Sequence, residues 1–151
     1  MGTSTGEHLD TMGPVAPKQP NNLINFGGRG IYHVPQFTRN KTIGPTAIKF
    51  LNSDKLGKQS ENDIFVSDID NGNICHFKLN QERNGFLVSG ASEDNVAYTS
   101  KDSQQAVFAT GFGGITDLQV GPGDGYLYVL SYTGGTIYRI LPSVSEDSDS
   151  K

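Results

Sequence analysis

The chain has 151 residues, a formal net charge of −4 and an isoelectric point near 5.2, which argues against nucleic acid or an anionic membrane as partner. No apolar run approaches the ~18 residues of a membrane span, and the lone Cys75 excludes an internal disulfide or a second thiol for a metal site. Glycine, at 19 residues, exceeds the ~7% background as turn-rich β-structure requires, and no segment shows sustained helical periodicity.

In chain order, residues 1–22 are rich in Gly, Pro, Thr and Asn and read as coil, with neither the basic region nor the apolar stretch of a signal peptide. Leu23 to Phe26 and Ile31 to Phe37 carry β-type residues, and residues 23–43 read as the outer edge of a preceding unit. The next strand is Gly44 to Phe50, with Thr46, Ile48 and Phe50 expected on one face and Ala47 and Lys49 on the other. Ile64 to Asp68 follows, apolar enough to be covered on both faces. Asn71-Gly72 marks a tight turn into the partly alternating strand Ile74 to Phe77. A fourth strand is placed at Ala106 to Ala109, with Phe86 to Val88 as the competing choice.

The order then begins again. Gly114 to Val120 echoes Gly44 to Phe50 at an offset of 70 residues. Leu127 to Ser131 and Gly135 to Ile140 echo Ile64 to Asp68 and Gly72 to Phe77 at an offset of 63. The loop after Phe50 is therefore seven residues longer than the one after Val120. A repeat of three or four antiparallel strands over ~40–70 residues is the pattern of a propeller blade, whereas the strands of a β-sandwich need not resemble one another. The expected fold is all-β, with two blades of four-stranded antiparallel sheet. Residues 44–112 make the first blade and residues 113–142 give three strands of the next. The acidic stretch 143–151 is expected to be a disordered tail. Two blades do not close a ring, so the chain is expected to be part of a larger propeller or to assemble with itself, and the missing fourth strand of the last blade suits a strand contributed from upstream.

The segments Gly44 to Leu51, Asn62 to Asp68, Asn71 to Ile74 and Gly111 to Leu130 carry a resemblance. They are similar to the last two blades of glucose/sorbosone dehydrogenase-like proteins, soluble sugar dehydrogenases that use pyrroloquinoline quinone. The likeness covers residues 10–142 and is similar in style to archaeal versions. It implies a six-bladed propeller, sugar oxidation by hydride transfer to the quinone with a histidine as general base, calcium that helps to bind the quinone, and an extracellular or cell-surface location. The family's histidine belongs to its N-terminal half, to which nothing here corresponds. Its last blade usually reads Gly-Arg-Ile-Arg-Asp, with both arginines on the quinone. This chain reads Gly113-Gly114-Ile115-Thr116-Asp117, and it has Asp70 where some members place a cofactor lysine. The family-equivalent cofactor positions are thus Asp70, Thr116 and Asp117. A quinone with three carboxylates wants cationic partners, which these residues do not supply.

Other candidate sites are weaker. His8, His33 and His76 have no metal-ligand spacing, and His76 is expected on an outward strand face. Asp68-Ile69-Asp70-Asn71-Gly72 fails as a calcium loop, since its glycine comes one place early and Leu79 stands where the bidentate glutamate belongs. Ser67 and Ser131 lack the histidine and carboxylate of a nucleophile. In an up-and-down blade, the loop before the first strand and the turn between the second and third share one end, the family's cofactor end. That end would gather Arg39, Lys41, Asp70, Thr116, Asp117 and Tyr132 as a surface for a sugar or a protein.

Overall fold

The computed structural model describes residues 35–40, 42–87 and 95–142. The expectations for residues 1–34, for Lys41, for Val88 and for the tail 143–151 lie outside the described residues. The described residues are all-β but for one short helix and a 3-10 turn at Lys58–Ser60. It divides into two compact units, Met1–Thr42 with Leu79–Ala106, and Ile43–Lys78 with Val107–Lys151.

The first unit contains β1 (Thr38–Arg39). It also holds, in the order of the whole chain, β5 (Phe86–Leu87) and β6 (Val96–Ala97) and the helix α1 (Ser100–Gln105). β1 and β6 pair in parallel, Thr38 with Val96 and Arg39 with Ala97. The sequence reading contains no helix, and α1 corrects it. Six residues are too few to show a helical period. The legible signal was Thr99-Ser100-Lys101-Asp102: the Thr99 hydroxyl accepts from the Asp102 N–H, and the Asp102 carboxylate accepts from the Thr99 N–H.

The second unit holds both copies of the repeat. In the first copy, β2 (Pro45–Phe50), β3 (Ile64–Asp68) and β4 (Ile74–Leu79) pair antiparallel in sequence order, and β7 (Val107–Ala109) pairs antiparallel with β4. Both choices for a fourth strand form strands beside β4: Val107–Ala109 pairs with it within this unit, and Phe86–Leu87 follows it in the sheet order. In the second copy β8 (Ile115–Val120), β9 (Leu127–Ser131) and β10 (Thr136–Arg139) pair in the same order.

The two copies share one register. Lys49 faces Phe65 as Gln119 faces Tyr128, and Phe65 faces His76 as Tyr128 faces Arg139. Both first strands carry an irregularity near their start, between Pro45 and Ile48 and between Ile115 and Asp117. Both sheets turn into the third strand through a glycine at positive φ, Gly72 at 62° and Gly135 at 56°. At the other end Asn62 and Gly125 match, at φ 66° and 72°. The bulge changes the expected facing of β2. Thr46 does not follow Ile48 and Phe50; its hydroxyl donates to the Ile115 carbonyl at 2.6 Å and lies 2.9 Å from the Ser67 hydroxyl.

The core of this unit lies between the two sheets. Phe65 and Ile74 on one sheet pack with Leu118, Leu127 and Val129 on the other, joined by Leu51 and Ile115. Each such side chain contributes roughly 1.5–3 kcal/mol by leaving water. The sheets are also stitched along their first strands, where Lys49 Nζ donates to Gln119 Oε1 at 2.8 Å. β3 is buried on both faces as its composition requires, whereas β9 alternates, with Leu130 exposed.

Candidate functional site

At one end of the second unit, three backbone segments meet around a buried carboxylate. Asp68, fully buried, ends β3. Its Oδ1 accepts from the Gly44 N–H at 3.2 Å and from the Asp70 N–H at 2.9 Å, and its Oδ2 accepts from Asn71 Nδ2 at 2.6 Å. The second copy builds the same end with a smaller residue. Ser131 donates to the Phe112 carbonyl at 2.5 Å and accepts from the Gly134 N–H at 3.1 Å, while Thr133 Oγ1 accepts from the Gly114 N–H at 3.0 Å. The Phe112 N–H donates to the Gly72 carbonyl at 3.3 Å, which ties the turn of the first copy to the entry of the second. The Asp68 run is thus a turn fastened by its own aspartate. Its oxygens are taken up by chain donors.

The family-equivalent positions occupy this neighbourhood without forming a constellation. Asp70 is exposed on the turn beside Gly44. Thr116 donates to the Leu130 carbonyl at 3.5 Å. Asp117 accepts from the Leu118 N–H at 2.8 Å and from Gln119 Nε2 at 3.3 Å. Among the described residues, no hydrogen bond or ion pair joins Asp70 to Thr116 or Asp117. Tyr132 is exposed on the turn after β9. Arg39 belongs to the other unit, and Lys41 lies outside the described residues.

These residues do not fit pyrroloquinoline quinone. Thr116 is neutral, and Asp70 and Asp117 are anionic groups where a tricarboxylate would need cations. Gly114 also lacks room for an arginine: a Cβ there would stand 2.9 Å from Thr133 Oγ1 and 3.2 Å from the Ile69 carbonyl oxygen. Calcium fares no better at the turn, where the Asp68 carboxylate is held by three donors.

The opposite end holds polar pairs that the sequence did not single out. His76 Nε2 lies 2.7 Å from Asp63 Oδ2, and its ring stacks on Phe65 with centroids 4.8 Å apart and planes 16° from parallel. His76 was expected to face outward; it is instead half-buried against Phe65 and Phe108. At the matching positions of the second copy, Arg139 lies over the Tyr126 ring, 5.3 Å from its centroid. A histidine–carboxylate hydrogen bond in one copy is thus matched by a cation–π contact in the other, where Arg139 also pairs with Asp124 at 3.7 Å, and both clasp the third strand to the loop before the second. The signal was present in the repeat, since Asp63 aligns with Tyr126 when His76 aligns with Arg139. Beside them Tyr128 donates to Asp124 at 2.6 Å. That bond, together with the Tyr126 N–H and nearby Arg139, holds the Asp124 carboxyl below its ordinary range, and it raises the Tyr128 phenol above its own.

Cys75 is buried, as a small apolar residue would be. Among the described residues no helix is long and apolar enough to cross a membrane. No protein-family model, curated protein or solved structure matches the chain.

Proposed function

We propose that the chain is a pair of successive blades from a β-propeller of the glucose/sorbosone dehydrogenase-like type, and that its part is to build the propeller body and one end of its turns. The observation that carries this reading is the shared register of the two copies, which recurs through strand pairing, bulge and turns and is stacked face to face. In this reading, oxidation of a sugar by hydride transfer to the quinone would rest on residues other than the ones described, because Asp70, Thr116 and Asp117 offer the quinone no cation. An extracellular or cell-surface place belongs to the same reading.

A second reading is a non-catalytic propeller module that binds a carbohydrate or a protein. One observation favours it: the Gly114 position is closed to an arginine side chain by Thr133 and Ile69. Calorimetric titration separates the two. The chain is titrated with pyrroloquinoline quinone, with and without calcium, and with a panel of mono- and oligosaccharides. Saturable quinone binding supports the dehydrogenase reading. Sugar binding without quinone binding supports the module. Binding of neither removes the ligand role of this end from both.

A further inference from the structure

The contact between the two sheets leaves one complementary face open on the second sheet and the β2 part of the other open on the first. On the first sheet, the face of Phe65, Ser67 and Ile74 is covered, and what covers it is the face of Leu118 and Val129 on the second. The repeat places Tyr128, Leu130 and Ile137 where Phe65, Ser67 and Ile74 stand, and places Ile48 and Val66 where Leu118 and Val129 stand. On the second sheet the equivalent face is open; on the first it is open along β2, while Ile64 and Cys75, further across the same face, are buried. Ile74 is 0% exposed and Ile137 is 69% exposed; Leu118 is 0% exposed and Ile48 is 62% exposed. Phe50 lies beside Ile48, exposed as well. On the second sheet the open face forms a groove of about 650 Å³ bounded by Val120, Tyr128, Leu130 and Ile137. Exposed aliphatic side chains grouped in this way mark an interaction surface.

We propose that this chain associates head to tail with a second copy of itself, the Leu130–Ile137 face of one copy receiving the Ile48–Phe50 face of the next. The internal interface supplies the template, since the same step that carries the first sheet onto the second seats a further copy on the second. The polar contacts repeat with it. Gln119 of the receiving sheet meets Lys49 of the arriving one, the pair already bonded inside the chain. Thr116 faces the arriving Pro45 carbonyl as Thr46 faces that of Ile115. Such an interface is heterologous, because two different faces meet. It therefore leaves one free face at each end and grows until a ring closes or a filament forms. The proposal rests on the repeat, and it stands whether or not the dehydrogenase reading does.

Size exclusion with light scattering, over a range of concentrations, tests it with two variants at exposed positions, Ile48→Lys and Ile137→Lys. Circular dichroism confirms that each keeps the β spectrum. The wild-type chain is expected to show a mass above one chain that rises with concentration. Each variant, with one face spoiled, should associate at least tenfold more weakly. An equimolar mixture of the two should give a species of two chains and no larger, because each brings the intact face that the other lacks. A wild-type chain that stays at single-chain mass overturns the proposal. So does full association by either variant. A mixture that remains at single-chain mass shows a like-to-like contact or none, and overturns it too.

Discussion

Asp68 and Ser131 stand at the same position of two successive sheets, and each locks its turn with a buried side-chain oxygen. Asp68 accepts three hydrogen bonds, whereas Ser131 accepts one and donates one. Asp68→Ala strands three donors and is expected to destabilise the fold by about 1–3 kcal/mol, with Ser131→Ala near 1 kcal/mol. Asp68→Asn keeps an acceptor oxygen and should fall between them. Urea denaturation ranks the three; a costlier Ser131→Ala would contradict this account of the turns.

Gly72 and Gly135 share a left-handed backbone but differ in surroundings. A Cβ on Gly72 would run into the backbone of Gly113, while one on Gly135 meets nothing within 4 Å. Gly135→Ala should cost only the conformational penalty, about 1–2 kcal/mol. Gly72→Ala adds a clash with backbone and should cost clearly more. Equal losses in thermal or urea unfolding would mean that the two turns are not packed as described.

The Tyr128–Asp124 hydrogen bond gives the fold a pH signature at both extremes. Asp124 titrates below the ordinary carboxylate value of about 3.8, so its contribution is whole above that value and disappears as pH falls through the lowered pKa. Tyr128 titrates above the ordinary phenol value of about 10, so its contribution is whole below that value and disappears as pH rises through the raised pKa. NMR titration of Tyr128 should give a later midpoint than that of the unfolded chain. In Tyr128→Phe the Asp124 midpoint should move up toward the ordinary value. An unmoved Asp124 would show that the bond is not what lowers it.

Thr116→Arg and Gly114→Arg introduce, one at a time, the two arginines that the proposed resemblance implies. Gly114→Arg should lower the melting temperature, because its Cβ is crowded by Thr133 and Ile69. Thr116→Arg should be tolerated, and it should tighten quinone binding by about 1.5–3 kcal/mol for one charge-assisted contact. Calorimetry with each variant checks both; a tolerated Gly114→Arg would reopen that position as a cofactor contact.

Much of the second unit was legible because the repeat sets each strand beside its counterpart. Ile64 to Asp68 announced a strand buried on both faces, and Asn71-Gly72 announced its turn. What escaped depends on groups distant in sequence or too short to show a period. Helix α1 is six residues, visible only through Thr99 and Asp102. Thr46 alternates with Ala47 in the sequence, but the bulge swings it onto Ser67 and Ile115. The His76–Asp63 pair required knowing that the third strand returns past the loop before the second. At the candidate site, the sequence shows Gly114 and Thr116 where the resemblance implies arginines, but not that Thr133 and Ile69 crowd the space at Gly114.

The central claim is that one unit occurs twice in the same register. Two-dimensional NOE spectroscopy of the isotope-labelled chain tests it directly, through cross-strand backbone contacts. The account predicts Lys49 with Phe65 and Phe65 with His76, and, in the second sheet, Gln119 with Tyr128 and Tyr128 with Arg139. A register slipped by even one residue in one sheet and not in the other would turn its apolar face to the wrong side and contradict the claim.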